Sequence, residues 1–144
     1  MRITWFLAVM MVFAACKGKE NAGDKAYQQT KQSLADKEKN NPEGFLKISG
    51  YERKKNLLGL GKQTVVKAKV SNTASVCSYK DVRVKMLCFD KDGKRVEEHE
   101  DILDDVIKPG ESADFRARYK LPRETDSIAL SIMSATAVDA TAKK

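Results

Sequence analysis

Val82-Arg83-Val84-Lys85-Met86-Leu87-Cys88-Phe89, followed by Asp90-Lys91-Asp92-Gly93, decides the fold. Apolar residues at 82, 84, 86 and 88 alternate with Arg83 and Lys85. Successive side chains leave a pleated strand on opposite sides, so this period of two predicts a strand with one buried face. Asp90-Lys91-Asp92-Gly93 then reads as a hairpin turn, with Gly93 supplying positive φ.

The same pattern recurs on both sides. Val66, Ala68 and Val70 alternate with Lys67 and Lys69, and Phe115, Ala117, Tyr119 and Leu121 alternate with Arg116, Arg118 and Lys120. Strands are predicted over 45–54, 64–71, 80–90, 94–100, 112–121 and 127–138, with a weaker one over 102–107. Pro109-Gly110 marks a further turn, and Pro122 ends the strand before it. Six or seven strands in about 95 residues define an all-β fold, a β-sandwich.

Three segments quoted together, Val66-Lys67-Ala68-Lys69-Val70-Ser71-Asn72-Thr73, Val82 through Gly93, and Ile107-Lys108-Pro109-Gly110-Glu111-Ser112-Ala113-Asp114-Phe115, resemble the FxLYD family of immunoglobulin-like domains. The motif that gives the family its name falls on Met86 to Asp90. Met86 stands for its Phe, Cys88 for its Leu and Phe89 for its Tyr, and Asp90 is identical. The resemblance covers residues 44–138. It implies an immunoglobulin-like β-sandwich on a bacterial envelope protein, acting in binding or assembly without catalytic residues.

Upstream the composition changes twice. Met1-Arg2 is followed by an apolar run from Ile3 to Ala15 and then by Cys16-Lys17-Gly18-Lys19. As a helix that run would cover about 20 Å, too short for a hydrocarbon core of about 30 Å, so residues 1–15 are expected to be a secretory signal. Ala14-Ala15-Cys16 resembles the lipobox of bacterial lipoproteins, with Phe13 where Leu is usual. That resemblance implies lipidation of Cys16 and a mature chain anchored to a membrane by acyl chains, in the cell envelope. Residues 16–43 carry six Lys, five acids and only Tyr27 and Leu34 as large apolar side chains, so a flexible, solvated spacer is expected there. A fraying helix over 25–39 would end at Asn40-Asn41-Pro42. Residues 139–144 form a short tail.

The 144 residues hold 27 Lys and Arg against 20 Asp and Glu, a formal charge of +7, and 42% are hydrophobic. This balance suits one modest globular domain and fits neither an acidic disordered chain nor a polytopic membrane protein.

The outward basic residues are the strongest binding signal: Lys67, Lys69, Arg116, Arg118 and Lys120, with Arg83 and Lys85 beside them. They suit an anionic surface or an acidic envelope protein. Nucleic acid is a poor match, because no aromatic residues interleave with them for base stacking. Polar outer faces also keep a sandwich soluble and guard its edges.

Other chemistry is thinner. Leu60-Gly61-Lys62-Gln63-Thr64 lacks the first Gly and the hydroxyl position of a phosphate-binding loop, with Asn56 and Gln63 in those places. Asp90, Asp92 and Gly93 echo part of a calcium loop whose end positions here hold Cys88 and His99. Glu97, Glu98, Glu100, Asp101, Asp104 and Asp105 surround His99, the only histidine, which is the one basis for a metal-dependent or hydrolytic alternative using the stretch from Asp90 to Asp105. Carriage of a small hydrophobic ligand between the sheets is a second alternative. No catalytic, metal or cofactor residues are assigned. Cys77 and Cys88 are not expected to pair, since Cys88 lies about 26 Å along a strand that begins near Lys80. Cys88 is then a small core residue and Cys77 a loop thiol. The expected function is that of a noncatalytic, lipid-anchored envelope protein whose sandwich binds or supports another envelope component.

Overall fold

The computed structural model describes residues 22–55 and 63–138. The expected signal segment, Cys16, the glycine-rich stretch around Gly61 and the tail at 139–144 lie outside them. A helix, α1 (Ala22–Asn40), and a short 3-10 turn (Pro42–Gly44) lead into six strands. These are β1 (Leu46–Lys55), β2 (Thr64–Asn72), β3 (Ser78–Phe89), β4 (Arg95–Leu103), β5 (Ser112–Tyr119) and β6 (Ser127–Val138).

The strands form two three-stranded antiparallel sheets, β1-β2-β5 and β4-β3-β6. The molecule is therefore the expected all-β sandwich with six strands. The weak run over 102–107 is not a seventh: Ile102 and Leu103 finish β4, and Ile107 makes only an isolated bridge to Tyr79.

Alternation places the core as the pattern predicts. Val66, Ala68 and Val70 from β2, Val82, Val84, Met86 and Cys88 from β3, and Phe115 and Ala117 from β5 are all buried. Each fully buried aliphatic or aromatic side chain contributes about 1.5–3 kcal/mol. The turns also hold. Gly93 (φ 76) closes the β3–β4 hairpin, donating to the Asp90 carbonyl, while Asp90 Oδ1 accepts from the amides of Asp92 and Lys94. Pro109 and Gly110 (φ 76) occupy the middle of a turn closed from Glu111 N to Lys108 O.

The expected spacer is corrected here. Ala22–Asn40 is a helix of 19 residues, about 28 Å long, and its last turns are built into the domain. Glu38 is 1% exposed, and its carboxylate accepts the backbone amides of Ser75 (2.7 Å), Val76 (2.9 Å) and Cys77 (2.7 Å). Burial alone would push Glu38 up, but the three amides outweigh it and hold the carboxyl below its usual range. The Tyr79 hydroxyl donates to the Glu38 carbonyl, and Ala35 packs on the core. Low hydrophobicity misled because one buried ion-to-amide clamp, not an apolar stripe, secures the helix.

Asn72 organises the same pole. Its Nδ2 donates to the carbonyls of Cys77 and Ile107, and its Oδ1 accepts the Ala74 amide, so the buried amide is satisfied on both sides. Cys77 lies in the loop before β3, as expected, and it is buried there, with Sγ 3.6 Å from the Ala35 carbonyl.

Candidate functional site

The outward side chains of the two sheets were grouped by sequence alternation, and their strand partners separate them. On the first sheet, Lys67 lies between Glu52 of β1 and Arg116 of β5. Lys69 lies between Ser49 and Asp114, and Val65 between Lys54 and Arg118. With Lys47 opposite Ser71, this face presents, among the described residues, six cations (Lys47, Lys54, Lys67, Lys69, Arg116 and Arg118) and two carboxylates (Glu52 and Asp114). Its surplus of four makes up most of the formal +7 of the whole chain.

Lys67, Lys69, Arg116 and Arg118 are all exposed. Among the described residues the only ion pair on this face joins Lys54 to Glu52, at 3.4 Å. Lys67 and Arg116 are direct cross-strand partners, an arrangement that destabilises a sheet. A shallow groove crosses the middle of the face, lined by Ser49, Gly50, Glu52, Lys67, Lys69, Asp114 and Arg116. Gly50 (φ 61) sits where the β1–β2 register slips between Ser49 and Glu52, a bulge that bends β1 there. Lys120, expected in the same row, is exposed one residue beyond β5 and off the ladder.

The second sheet is different. Lys85 bonds Glu98 at 2.9 Å and lies 3.6 Å from Glu100, and Arg83 reaches Glu100 at 3.5 Å. Arg95 meets Glu98 at 3.2 Å. The hydrogen bond from Lys85 pulls Glu98 below the usual carboxylate range, and the same bond pushes Lys85 up. Arg83 and Lys85 are therefore committed within their own sheet.

The acidic stretch around His99 does not converge. Asp90 is used by its hairpin, and Glu98 and Glu100 face outward in the ion pairs above. Glu97, His99 and Asp101 occupy the opposite side of β4. His99 stacks on Tyr119 with ring centroids 4.5 Å apart, and the Tyr119 hydroxyl lies 3.4 Å from Asp101 Oδ2. Burial first, and then Asp101, pushes Tyr119 up to about 12. His99 Nε2 is 3.3 Å from Glu97 Oε2 without an aligned hydrogen bond. Among the described residues no three His, Cys, Asp or Glu side chains come together to hold a metal ion.

Cys77 and Cys88 stand at opposite ends of β3, both buried, with no disulfide between them. Burial, reinforced by Glu97 and opposed by Arg53, pushes the Cys88 thiol up, away from the thiolate form that a nucleophile requires. Side chains from both sheets fill the space between them, including Tyr79, Met86, Val66 and Phe115. None of the described helices is long and apolar enough to cross a membrane.

Sequence reasoning missed Glu38, Asn72 and Tyr79. Only Asn72, the last residue of β2, carried a signal, as a turn-forming residue at a strand end.

The architecture is that of a two-sheet antiparallel sandwich. Neither a protein-family model nor a curated protein matches this chain. Among solved structures it is similar to one described as "X-ray structure of Northeast Structural Genomics Consortium target SoR45". The TM-score is 0.39 and the identity 10%, over 69% of this chain and 90% of that one.

Proposed function

We propose that this chain is a noncatalytic envelope lipoprotein, anchored through Cys16, whose FxLYD-like, immunoglobulin-like sandwich binds an acidic component of the envelope through the outer face of β1-β2-β5. The observation that carries this reading is the uncompensated charge of that face, set against the paired charges of the other sheet. Keeping Lys67 directly opposite Arg116 costs stability, and binding an anion would repay that cost. The scattered carboxylates around His99 and the filled inter-sheet space weigh against the hydrolase and carrier alternatives.

Two experiments test the reading. A Cys16→Ala chain should leave the membrane fraction, and unchanged sedimentation would sink the anchor. In the Cys16→Ala background, retention of the chain on isolated envelope material should fall when Arg116→Glu and Arg118→Glu are combined. Equal retention of the folded double variant would remove this face from the function.

A further inference from the structure

We infer that the occupant of the β1-β2-β5 outer face is the anionic headgroup surface of a phospholipid bilayer. The inference rests on the proposed reading for the anchor, while its recognition chemistry stands on the face itself. A protein partner needs something to bury: interface centres are enriched in aromatic residues, Met and Arg and are depleted in lysine. This face has lysines on its central strand, with Lys67 and Lys69 exposed beside Arg116 and Arg118, and its Val65 is only 8% exposed. The other sheet is the one that shows water an aliphatic side chain on its outer face, at Ile102.

The cations are also spread rather than focused. Strands lie about 4.8 Å apart and alternate residues about 6.8 Å along each strand, so the charges tile a broad patch instead of converging on one small anion. A sheet of phosphates matches that distribution.

Length makes the contact reachable. Six residue-to-residue steps lead from Cys16 to Ala22, spanning at most about 20 Å, and the helix from Ala22 to Glu38 adds about 24 Å. A domain held this near a bilayer samples it at high effective concentration, so weak attraction per charge suffices. Each cation brought to an anionic surface contributes about fivefold in partitioning, and salt screens that attraction.

The test uses the full lipidated chain in vesicles of phosphatidylcholine alone or with added phosphatidylglycerol, and reads the rate of amine modification at each lysine by mass spectrometry. Lys67 and Lys69 should label at least about fivefold more slowly on the anionic vesicles, with the protection lost at high salt. Lys91, in the β3–β4 hairpin, should label equally on both. In the Lys67→Glu, Arg116→Glu variant, Lys69 should label at one rate on both vesicle types. Equal labelling of Lys67 and Lys69 on the two compositions would overturn the inference, as would protection by soluble polyglutamate with none from vesicles. The latter result would reassign the face to an acidic polypeptide. Protein that elutes free of both vesicle types would instead sink the anchor, and saturating that protein with anionic vesicles still reads protection of Lys67 and Lys69.

Discussion

Lys67 and Lys85 occupy equivalent places: each points outward from the middle of the central strand of its sheet, in the settings Val-Lys-Ala-Lys-Val and Val-Arg-Val-Lys-Met. Their surroundings differ. Lys85 holds Glu98 at 2.9 Å and has Glu100 at 3.6 Å, whereas Lys67 faces Arg116 on one side and Glu52, turned to Lys54, on the other. Two nearly identical sequence patterns thus produce one self-neutralised face and one that carries its charge outward. A strand's own alternation assigns side chains to faces, but the electrostatics of a face belongs to the neighbouring strands and their register.

Carboxylates in this molecule act in proportion to what they satisfy, and substitutions can grade them. The largest effect is expected at Glu38, whose counterparts are buried backbone amides. Glu38→Ala leaves three donors unpaired and should cost about 3 kcal/mol, measured by urea denaturation. A loss as small as that of an exposed ion pair would erase the distinction between the buried clamp and the surface charges.

The same clamp has a pH signature with a defined sign. Because the folded pKa of Glu38 is depressed, its contribution is fully present above the ordinary value of 4.5 and disappears as pH falls through the lowered folded value. The gap in urea midpoint between the native chain and Glu38→Gln should therefore be constant near neutrality and narrow in acid. A gap that widens in acid would reverse the assignment.

Next in size is the second sheet. Glu100→Lys removes a partner of both Arg83 and Lys85 and sets a third cation beside them, so the denaturation midpoint should fall clearly. The fall should remain far smaller than at Glu38, because these groups stay in contact with water. The smallest effect has the opposite sign. Arg116→Glu replaces a like-charge cross-strand pair with an opposite-charge one and should raise stability by about 0.5 kcal/mol while weakening attraction to anionic vesicles. A destabilised Arg116→Glu would mean that the two faces are less different than their registers imply.

The two-sheet core was legible because its strands are amphipathic. Val82, Val84, Met86 and Cys88 declare one face regardless of what pairs with them, and Asp90 to Gly93 declares its own turn. The basic residues were legible as a set. Their division into a compensated and an uncompensated group was not, since it depends on β2 lying between β1 and β5 while β3 lies between β4 and β6. The helix anchorage was least visible. Glu38 sits among Lys37, Lys39 and Asn40 in a stretch that reads as solvent-exposed, and its partners are amides more than thirty residues away, which carry no side-chain signature.

The Glu38 clamp also decides how the molecule bears mechanical load. Tension applied to the chain ahead of α1 travels down the helix and enters the sandwich at residues 75–77, the loop joining the two sheets. The β1 edge, next along the covalent chain, is shielded until the clamp opens. Three hydrogen bonds from backbone amides to one carboxylate would therefore act as the fuse, yielding before the β1–β2 ladder and releasing the helix while the sandwich keeps its shape.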